Sequence, residues 1–291
     1  MTAPKIAARA LVGLIGANIQ SSISPLLHED AFAALGVRGH YHLMDLDLLP
    51  GRSLRELLDA ARAAGFAGVN VTYPCKEAVI PLLDAVSDEA RQIGAVNTVT
   101  IDRERRTHGY NTDRIGFRRS FEDGLGRAAI AGKTAILIGA GGAGRAVAFA
   151  LFDLGAARVR IRDIDTARAH ALAHDLNMHF GTGRAEAIDD VTRALPDAAG
   201  IVNATPVGMQ GIAGLPAPTD GIGAQHWAAD VIYTPLETAF IARAAAQGAR
   251  TLTGGGMCVH QAVESFRLFS GAMPDVARMK RVFEAAITAR G

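Results

Sequence analysis

Short apolar runs alternate with segments whose apolar residues recur at helical spacing, beginning near the amino terminus. The apolar run at 10–15 predicts a buried strand. In the segment after it, Leu27 and Ala31 fall on one helical face. We therefore predict a helix that begins at Pro25, a residue favoured in a first turn, and ends at Gly36. This order of elements is typical of α/β proteins.

The same alternation continues through the first third of the chain. Strands are predicted at 40–46, 68–72, 96–101 and 106–110, the last two as a hairpin. Helices are predicted at 53–64, 76–85 and 88–93. These elements form a first α/β series.

A second series begins near Lys133. The run at 134–138, TAILI, is apolar after its first residue, as expected for a strand of a parallel sheet that is covered on both faces. Further strands are predicted at 158–162, 199–203, 227–232 and 250–252. Helices are predicted at 146–154, 166–176, 237–247, 258–269 and 274–289. Alternating strands and helices predict a doubly wound parallel sheet with right-handed crossovers.

The length of 291 residues suits two domains at roughly 150 residues each. We expect the fold class to be α/β, with an N-terminal and a C-terminal α/β domain, both with mainly parallel sheets. The first domain should span 1–113 and the second 114–257. The helices of 258–291 should pack back on the first domain.

Charge and composition exclude several classes of protein. The 30 basic and 29 acidic side chains nearly cancel, whereas a nucleic-acid-binding protein would show a basic excess. The first apolar run is shorter than the ~20 residues that span a bilayer, and no signal peptide is recognisable, so we expect a cytoplasmic protein without membrane contact. The two cysteines and nine histidines show no ligand spacing, and we expect no metal.

A glycine-rich loop follows the predicted strand at 134–138 and opens the next predicted helix. Residues 139–144 read GAGGAG and satisfy the GxGxxG pattern of dinucleotide-binding sites. Gly139 permits a tight turn, Gly141 lets the backbone approach a pyrophosphate, and Gly144 allows close packing of helix on strand. The residues expected to contact the cofactor here are Gly139, Ala140, Gly141, Gly142 and Ala143.

An acidic residue ends the next predicted strand. Asp163 lies 24 positions after Gly139, close to the ~20 expected for the carboxylate that binds the adenosine ribose. A carboxylate there repels a 2′-phosphate, which favours NAD over NADP, although Arg162 and Arg168 leave NADP open. Asp163 could instead cap the following helix, but Asp165 is better placed for that role.

Four polar motifs in the first half are not explained by composition. They are SxSPxxH at 22–28, NVTxPxK at 70–76, GAVNT at 94–98 and NTDxxG at 111–116. Together with NATPVGM at 203–209, DVIYTP at 230–235 and the segment 257–261, they resemble the shikimate dehydrogenase family. The resemblance runs in order along almost the whole chain. It implies a two-domain reductase that interconverts 3-dehydroshikimate and shikimate with a nicotinamide cofactor, with an N-terminal α/β substrate domain and a C-terminal Rossmann domain.

The resemblance also implies a role for individual residues. Ser22 and Ser24 match the hydroxyls that hold the substrate carboxylate, with Tyr233 assisting. Ligands of the ring hydroxyls are matched by Thr72, Asn97 and Gln261. Further cofactor contacts are matched by Arg168, Thr205, Val231 and Gly254. Ser24 is also placed to cap the helix that begins at Pro25, and His28 is expected to be structural.

Lys76 and Asp113 match the catalytic pair of the family. Only four of the 30 basic residues are lysines, and arginine cannot readily exchange a proton. A neutral lysine could accept the hydroxyl proton directly, or an ammonium could stabilise alkoxide charge while Asp113 orients it. A neighbouring carboxylate favours the charged lysine, so the sequence leaves the choice open. We favour Lys76 as the proton-transfer residue, coupled to Asp113.

Departures from the commonest family pattern bear on cofactor and substrate. NADP-using members usually carry Asn-Arg-Thr where this chain has Asp163, Ile164 and Asp165, and the acidic version resembles the NAD-preferring quinate/shikimate dehydrogenase branch. Some members of that branch have threonine in place of Ser24, which leaves quinate open as a substrate. We expect NAD as preferred cofactor, a small carboxylate substrate, and a monomer or homodimer.

Three alternative functions agree with part of this interpretation. The substrate could be aminoshikimate or another cyclic hydroxy acid. The chain could be a nicotinamide-binding regulator without turnover, but Lys76, Asp113 and the glycine loop are intact. An enzyme of the methylene-tetrahydrofolate dehydrogenase kind is disfavoured by the SxSP and NTD motifs.

Overall fold

The computed structural model describes residues 9–290. The chain divides into two compact units, of which the first comprises 1–112 and 261–291 and the second 113–260. The division therefore falls one residue before the expected boundary at 113 and three residues after the expected one at 257. The two-domain α/β architecture with mostly parallel sheets agrees with the expected fold class.

The first unit is built on a six-stranded mixed sheet. Its strands are β1 (Arg9–Gly16), β2 (Arg38–Asp45), β3 (Gly68–Val71), β4 (Ala85–Val86), β5 (Thr98–Ile101) and β6 (Thr107–Tyr110). The strand order is β2-β1-β3-β5-β6-β4. β1 pairs in parallel with β2 and β3, whereas β5 runs antiparallel to β3 and β6.

The helices of the first unit include the carboxyl-terminal one. They are α1 (Ser24–Ala34), α2 (Leu54–Ala64), α3 (Asp88–Ile93) and α10 (Val276–Thr288). An Arg278 guanidinium donates to both Asp30 oxygens at 2.6 and 2.8 Å and joins α10 to α1. One face of the sheet packs against α2, where Leu57, Leu58 and Val69 belong to a common apolar cluster.

The second unit contains an entirely parallel six-stranded sheet. Its strands are β7 (Thr134–Ile138), β8 (Arg158–Arg162), β9 (Ala185–Ala187), β10 (Gly200–Asn203), β11 (Trp227–Asp230) and β12 (Arg250–Leu252). Their order is β12-β11-β10-β7-β8-β9, which is that of a dinucleotide-binding doubly wound sheet. The helices are α4 (Asp113–Gly124), α5 (Gly142–Asp153), α6 (Thr166–Phe180), α7 (Val191–Ala194) and α8 (Ala239–Ala246). Helix α9 (Gly255–Ser270) contains the boundary between the units.

Three local predictions were wrong. The helix expected at 76–85 is replaced by turns, a short 3₁₀ helix at Ile80–Leu82 and the strand β4, because Pro81 prevents a regular helix from continuing. The segment after Asp113, where only a domain boundary was expected, forms the twelve-residue helix α4. Ser24 is the first residue of α1 and not its cap; the residue before it, Ile23, makes no side-chain capping bond.

Within residues 9–290, no helix is both long enough and apolar enough to cross a membrane.

Close packing in the second sheet gives a test of stability. Gly200 faces Trp227 on the neighbouring strand, and a Cβ added there would collide with the indole ring and the Trp227 carbonyl. We expect Gly200→Ala to lower the free energy of unfolding by about 2 kcal/mol or more, as overpacking usually does. Urea denaturation measures this loss.

Gly124→Ala is the matched control. A Cβ at Gly124 would meet only the movable end of the Leu252 side chain, at 2.6 Å. We expect this variant to lie within about 1 kcal/mol of the native protein. Equal losses in the two variants would contradict the packing argument.

Candidate active site

The polar motifs of the first unit meet at one edge of its sheet. β1 and β3 are parallel, so the loops that carry Ser22 and Thr72 leave the same edge. Because β5 is antiparallel to β3, its start also lies at this edge, which brings Asn97 beside them. The end of β6 returns there in turn and leads to Thr112. Pairing alone therefore gathers residues from four distant parts of the sequence.

The carboxamide of Asn97 is held in one orientation by its neighbours. Its Oδ1 accepts the Thr112 amide at 2.8 Å and the Thr98 hydroxyl at 3.0 Å. Its Nδ2 donates to Thr112 Oγ1 at 3.0 Å and reaches Gln261 Oε1 at 3.5 Å. Because Asn97 is buried, these partners hold its side-chain amide in one orientation. A ligand can then contact only the side of the amide that they leave unoccupied.

Asn70 extends this polar group to the other side of β3. Its Nδ2 donates to Thr98 Oγ1 at 3.0 Å, and its Oδ1 accepts the Tyr41 hydroxyl at 2.8 Å. The Tyr41 ring stacks on buried His28 at 4.8 Å between centroids. Burial lowers the pKa of His28 to about 3, so the imidazole is neutral. A neutral, packed ring agrees with the structural role expected for this histidine.

The loop that carries the two serines is anchored by buried Asp45 at the end of β2. Asp45 Oδ2 accepts the Ile19 amide at 3.1 Å and Gln20 Nε2 at 3.0 Å. Ser22 Oγ accepts the Ser24 amide at 3.2 Å. The serine hydroxyls therefore stand at the amino-terminal end of α1, where a helix favours an anion.

Lys76 lies in the turn after β3 and is partly buried. Its main-chain carbonyl accepts the Val96 amide at 2.8 Å, which joins this turn to the segment before Asn97. Beneath the turn, a Cβ at Gly16 would collide with the Thr72 methyl, so a glycine is required there. The backbone of the lysine turn is thus fixed next to the polar group around Asn97.

The glycine-rich loop of the second unit has the expected backbone. Gly139 adopts φ of +100°, a conformation that favours glycine. A Cβ at Gly144 would collide with the Gly139 carbonyl, whereas one at Gly141 would meet only Arg168 Nη2, at 3.8 Å. Gly141 caps α5 without a side-chain hydrogen bond, so the first amides of this helix are open to an anion. The loop therefore fits a pyrophosphate group.

Asp163 is fixed at the end of β8, next to this loop. Its Oδ2 accepts the Ala140 amide at 2.6 Å, and its Oδ1 accepts the Asp165 amide at 2.9 Å. Asp165 itself caps α6 through the Ala167 amide, as its position in the sequence predicted. A carboxylate at this place fits the ribose of a dinucleotide, and its partners confine it there.

Three more loops leave the same edge of the second sheet, after β10, β11 and β12. Thr205, Val231 and Gly254 follow these strands. Two buried residues, Asn203 and Asp230, end β10 and β11 and hydrogen-bond to each other. Both residues begin motifs that carry the family resemblance, NATPVGM and DVIYTP, but the resemblance implied no role for either of them.

Asp113 is the first residue of α4 and is 1% exposed. The next residue, Arg114, donates to both oxygens of Asp153 at 2.6 and 2.7 Å and lies over the Phe149 ring. Because Asp153 ends α5, this ion pair fixes the start of α4 against the end of α5. Arg114 was also not singled out from the sequence.

The site residues thus fall into two sets. The first unit holds Ser22, Ser24, Thr72, Lys76, Asn97 and Gln261. The second holds Asp113, residues 139–143, Asp163, Arg168, Thr205, Val231, Tyr233 and Gly254. Within the described chain, 9–290, no three His, Cys, Asp or Glu residues are grouped so that they could hold a metal ion.

Comparison with known proteins gives the family. Residues 14–99 match the shikimate dehydrogenase substrate binding domain, and residues 254–282 match the shikimate 5'-dehydrogenase C-terminal domain. A quinate/shikimate dehydrogenase (NAD(+)) of Corynebacterium efficiens is 47% identical, over 94% of this chain and 97% of its own. The chain belongs to the shikimate dehydrogenase family. The resemblance and the oxidoreductase class predicted from the motifs are confirmed.

Two further relatives within the shikimate dehydrogenase family bear on the cofactor. A shikimate dehydrogenase (NADP(+)) of Streptomyces avermitilis is 48% identical, over 92% of this chain and 93% of its own. The solved structure of quinate dehydrogenase from Corynebacterium glutamicum in complex with NAD has a TM-score of 0.88 and 42% identity, over 96% of this chain and 99% of its own.

Asp45 gives a test of how the serine loop is held. Asp45→Ala leaves the Ile19 amide without its buried acceptor, and we expect a loss of about 2 kcal/mol in unfolding free energy. Hydrogen exchange at Ile19 should become faster. Asp47→Ala is the control, because the bond that Asp47 accepts from the Asn18 amide of the same loop is exposed, so water can replace it. Equal effects of the two substitutions would contradict the role of Asp45.

The same carboxylate predicts a dependence on pH. Burial raises the pKa of Asp45, but hydrogen bonds from Gln20 and the loop amides outweigh it, so that the pKa is lowered from 3.8. Its contribution to stability is therefore complete above pH 3.8 and is lost as the pH falls through the lower native value. The protection factor of the Ile19 amide, which is its intrinsic exchange rate divided by the observed rate, should therefore fall in acid in the native protein and stay constant in Asp45→Ala.

Proposed function

We propose that this protein interconverts shikimate and 3-dehydroshikimate, and quinate and 3-dehydroquinate, with NAD as the preferred cofactor. The observation that carries the proposal is the whole-length similarity to relatives that bear these names and cofactors. The structure adds what the reaction needs: a polar edge suited to a hydroxylated acid in one unit and a dinucleotide-binding loop in the other. The first unit is the substrate-binding domain and the second binds NAD(P).

The substrate carboxylate is held by the hydroxyls of Ser22 and Ser24 at the start of α1, and Tyr233 is the further residue that the family resemblance assigns to it. The partial positive charge of the helix end supports the anion. A ring bearing several hydroxyls needs both donors and acceptors. Asn97, Thr72 and Gln261 offer both, and the bonds from Thr112 and Thr98 hold the Asn97 amide ready for a hydroxyl.

Oxidation of a secondary alcohol requires removal of a hydride and of the hydroxyl proton. A bound nicotinamide supplies the hydride acceptor. Lys76 takes the hydroxyl proton and returns it in the reverse direction, and Asp113 is the second member of the catalytic pair that the family resemblance implies. The ion pair of Arg114 with Asp153 keeps Asp113 at a fixed point of α4.

Asp163 accounts for the preference for NAD. Its carboxylate occupies the place where the ribose hydroxyls bind, and it would repel the 2′-phosphate of NADP. Because the positive charge of exposed Arg168, beside Gly141, favours a phosphate, we expect weaker activity with NADP as well. Location in the cytoplasm and a monomeric or homodimeric state remain predictions.

Kinetics with both cofactors and both acids test the proposal directly. We expect turnover of shikimate and quinate, with kcat/KM for NAD at least ~10-fold above that for NADP, or about 1.4 kcal/mol. Asp163→Asn should lower the ratio of kcat/KM for NAD to that for NADP, because removing the negative charge removes the repulsion of the 2′-phosphate. Preference for NADP would show that the assignment of Asp163 is wrong. Aminoshikimate as the only substrate oxidised would favour the alternative named above.

Lys76→Ala tests the proton-transfer step. We expect kcat to fall by at least ~100-fold, within the range of general acid–base catalysis, while the Kd for NAD is unchanged. Lys76→Arg should not restore kcat, because a guanidinium keeps charge but does not exchange the proton. Lys133→Ala is the matched control, since Lys133 Nζ bonds only the Ala128 carbonyl at the surface. Near-normal turnover in Lys76→Ala would exclude the proposed role.

A further inference from the structure

One buried carboxylate lies where three cofactor loops of the second unit meet. Asp230 ends β11 and is 3% exposed. It accepts hydrogen bonds from three donor groups through four contacts. Asn203 Nδ2 donates to its two oxygens at 3.1 and 3.2 Å, the Ile232 amide donates at 2.9 Å, and the Thr238 hydroxyl donates at 2.8 Å. Both oxygens are therefore used, and every partner is a donor.

Through Asn203, the carboxylate reaches the loop after β10. Asn203 Oδ1 accepts the amide and the hydroxyl of Thr205 at 3.0 and 2.7 Å. Asn203 Nδ2 also donates to the Val207 carbonyl at 3.1 Å. The Thr205 hydroxyl accepts the Val207 amide at 3.2 Å. The loop is thus folded around a side chain that Asp230 holds.

The loops after β11 and β12 are tied to the same point. The Ile232 amide bonds to Asp230, and the Ile232 carbonyl accepts the Gly254 amide at 3.1 Å. A Cβ at Gly254 would collide with the Val231 and Ile232 carbonyls, so the two backbones touch. Displacement of the loop after β11 therefore also moves the loop after β12.

The strand order says which half of a dinucleotide these loops serve. The pyrophosphate loop follows β7, and Asp163, the ribose carboxylate, follows β8 on one side of it. β10, β11 and β12 lie on the other side of β7. In such sheets a dinucleotide extends across the crevice at the ends of the strands. The loops around Asp230 therefore face the nicotinamide half.

We propose that Asp230 is a positioning residue that holds the three nicotinamide loops through Asn203, Ile232 and Thr238, and so determines the affinity for the nicotinamide half of NAD. The proposal rests on the nicotinamide dependence proposed above. It concerns neither the acid substrate nor the adenosine half of the cofactor.

Burial raises the pKa of Asp230 to about 6, against the effect of its hydrogen bonds. The partners of Asp230 from β10, from the loop after β11 and from the start of α8 are uncharged. Near pH 7 the group is mostly a carboxylate that can accept from all three donor groups. Below pH 6 it is mostly protonated, and its own O–H takes the place of one accepted bond.

The test compares the binding of NAD and of ADP-ribose, which lacks the nicotinamide, by calorimetry. In Asp230→Asn we expect the Kd for NAD to rise at least ~10-fold and that for ADP-ribose to change less than ~2-fold, because an amide leaves donors unpaired. In the native protein the Kd for NAD should rise as the pH falls from 7 to 5. The variant should lack this dependence.

Two further variants control for folding. Ile201→Val removes one buried methylene from β10 and should destabilise the protein in urea without changing the Kd for NAD. Thr238→Val removes one donor to Asp230 and should weaken NAD binding selectively, whereas Thr238→Ser should not. If Asp230→Asn does not fold, NAD binding by these two Thr238 variants tests the role of Asp230 instead.

Three outcomes would overturn the role of Asp230: equal weakening of NAD and ADP-ribose, unchanged NAD binding in the variants, or a native Kd for NAD that is flat between pH 7 and 5. Turnover of shikimate and quinate by the native protein is measured separately. A native protein that binds NAD but oxidises neither acid would refute the proposed substrates and leave the role of Asp230 standing. Failure of the native protein to bind NAD would refute both.

Discussion

Strand pairing places every functional loop of this protein. In the second sheet all six strands run parallel, so the glycine loop, Asp163, Thr205, Val231 and Gly254 must leave one edge together. In the first sheet, antiparallel β5 and β6 bring a strand start and a strand end to the edge where β1 and β3 finish. Loops collected in this way still need to be fixed, because loops are the most mobile part of a domain.

Buried hydrogen bonds hold these loops in place, and the two units achieve this in different ways. In the first unit the side chain of Asn97 is held by Thr98 and Thr112, which are neighbours in sequence or across the hairpin. In the second unit the Asp230 carboxylate holds the side-chain amide of Asn203, and this amide in turn holds the loop after β10. Both arrangements satisfy buried polar groups almost completely, which is the condition under which such groups rigidify a structure.

The sequence predicted most of this architecture because the relevant signals are local. The apolar run at 134–138, the glycines after it and Asp165 as a cap each act within a few residues, and the structure has them as expected. The helix expected at 76–85 failed because apolar spacing was weighed above Pro81. Helix α4 was missed because its polar surface hides the buried face formed by Phe117 and Phe121.

The supporting residues were beyond prediction for a different reason. Asn203 and Asp230 are 27 positions apart, and only the parallel register of β10 with β11 places them side by side. Arg114 and Asp153 are brought together by the packing of α4 on α5. Motifs identify residues that contact ligands, whereas residues that hold those residues are recognised only when the strand register is known.

Burial raises the pKa of Asp230 to about 6, because the negative charge is less well solvated inside the fold than in water. The difference between 3.8 and about 6 corresponds to roughly 3 kcal/mol, and it favours the protonated native state. This contribution to stability is complete below pH 3.8 and is lost as the pH rises through about 6, so the carboxylate makes the fold less stable at neutral pH. An asparagine would avoid the charge, but it has one acceptor oxygen where the observed donors occupy two. Asp230 therefore lowers the stability of the fold, yet both of its oxygens bind the loops that follow β10 and β11. This combination fits a residue that positions those loops and not one that stabilises the fold.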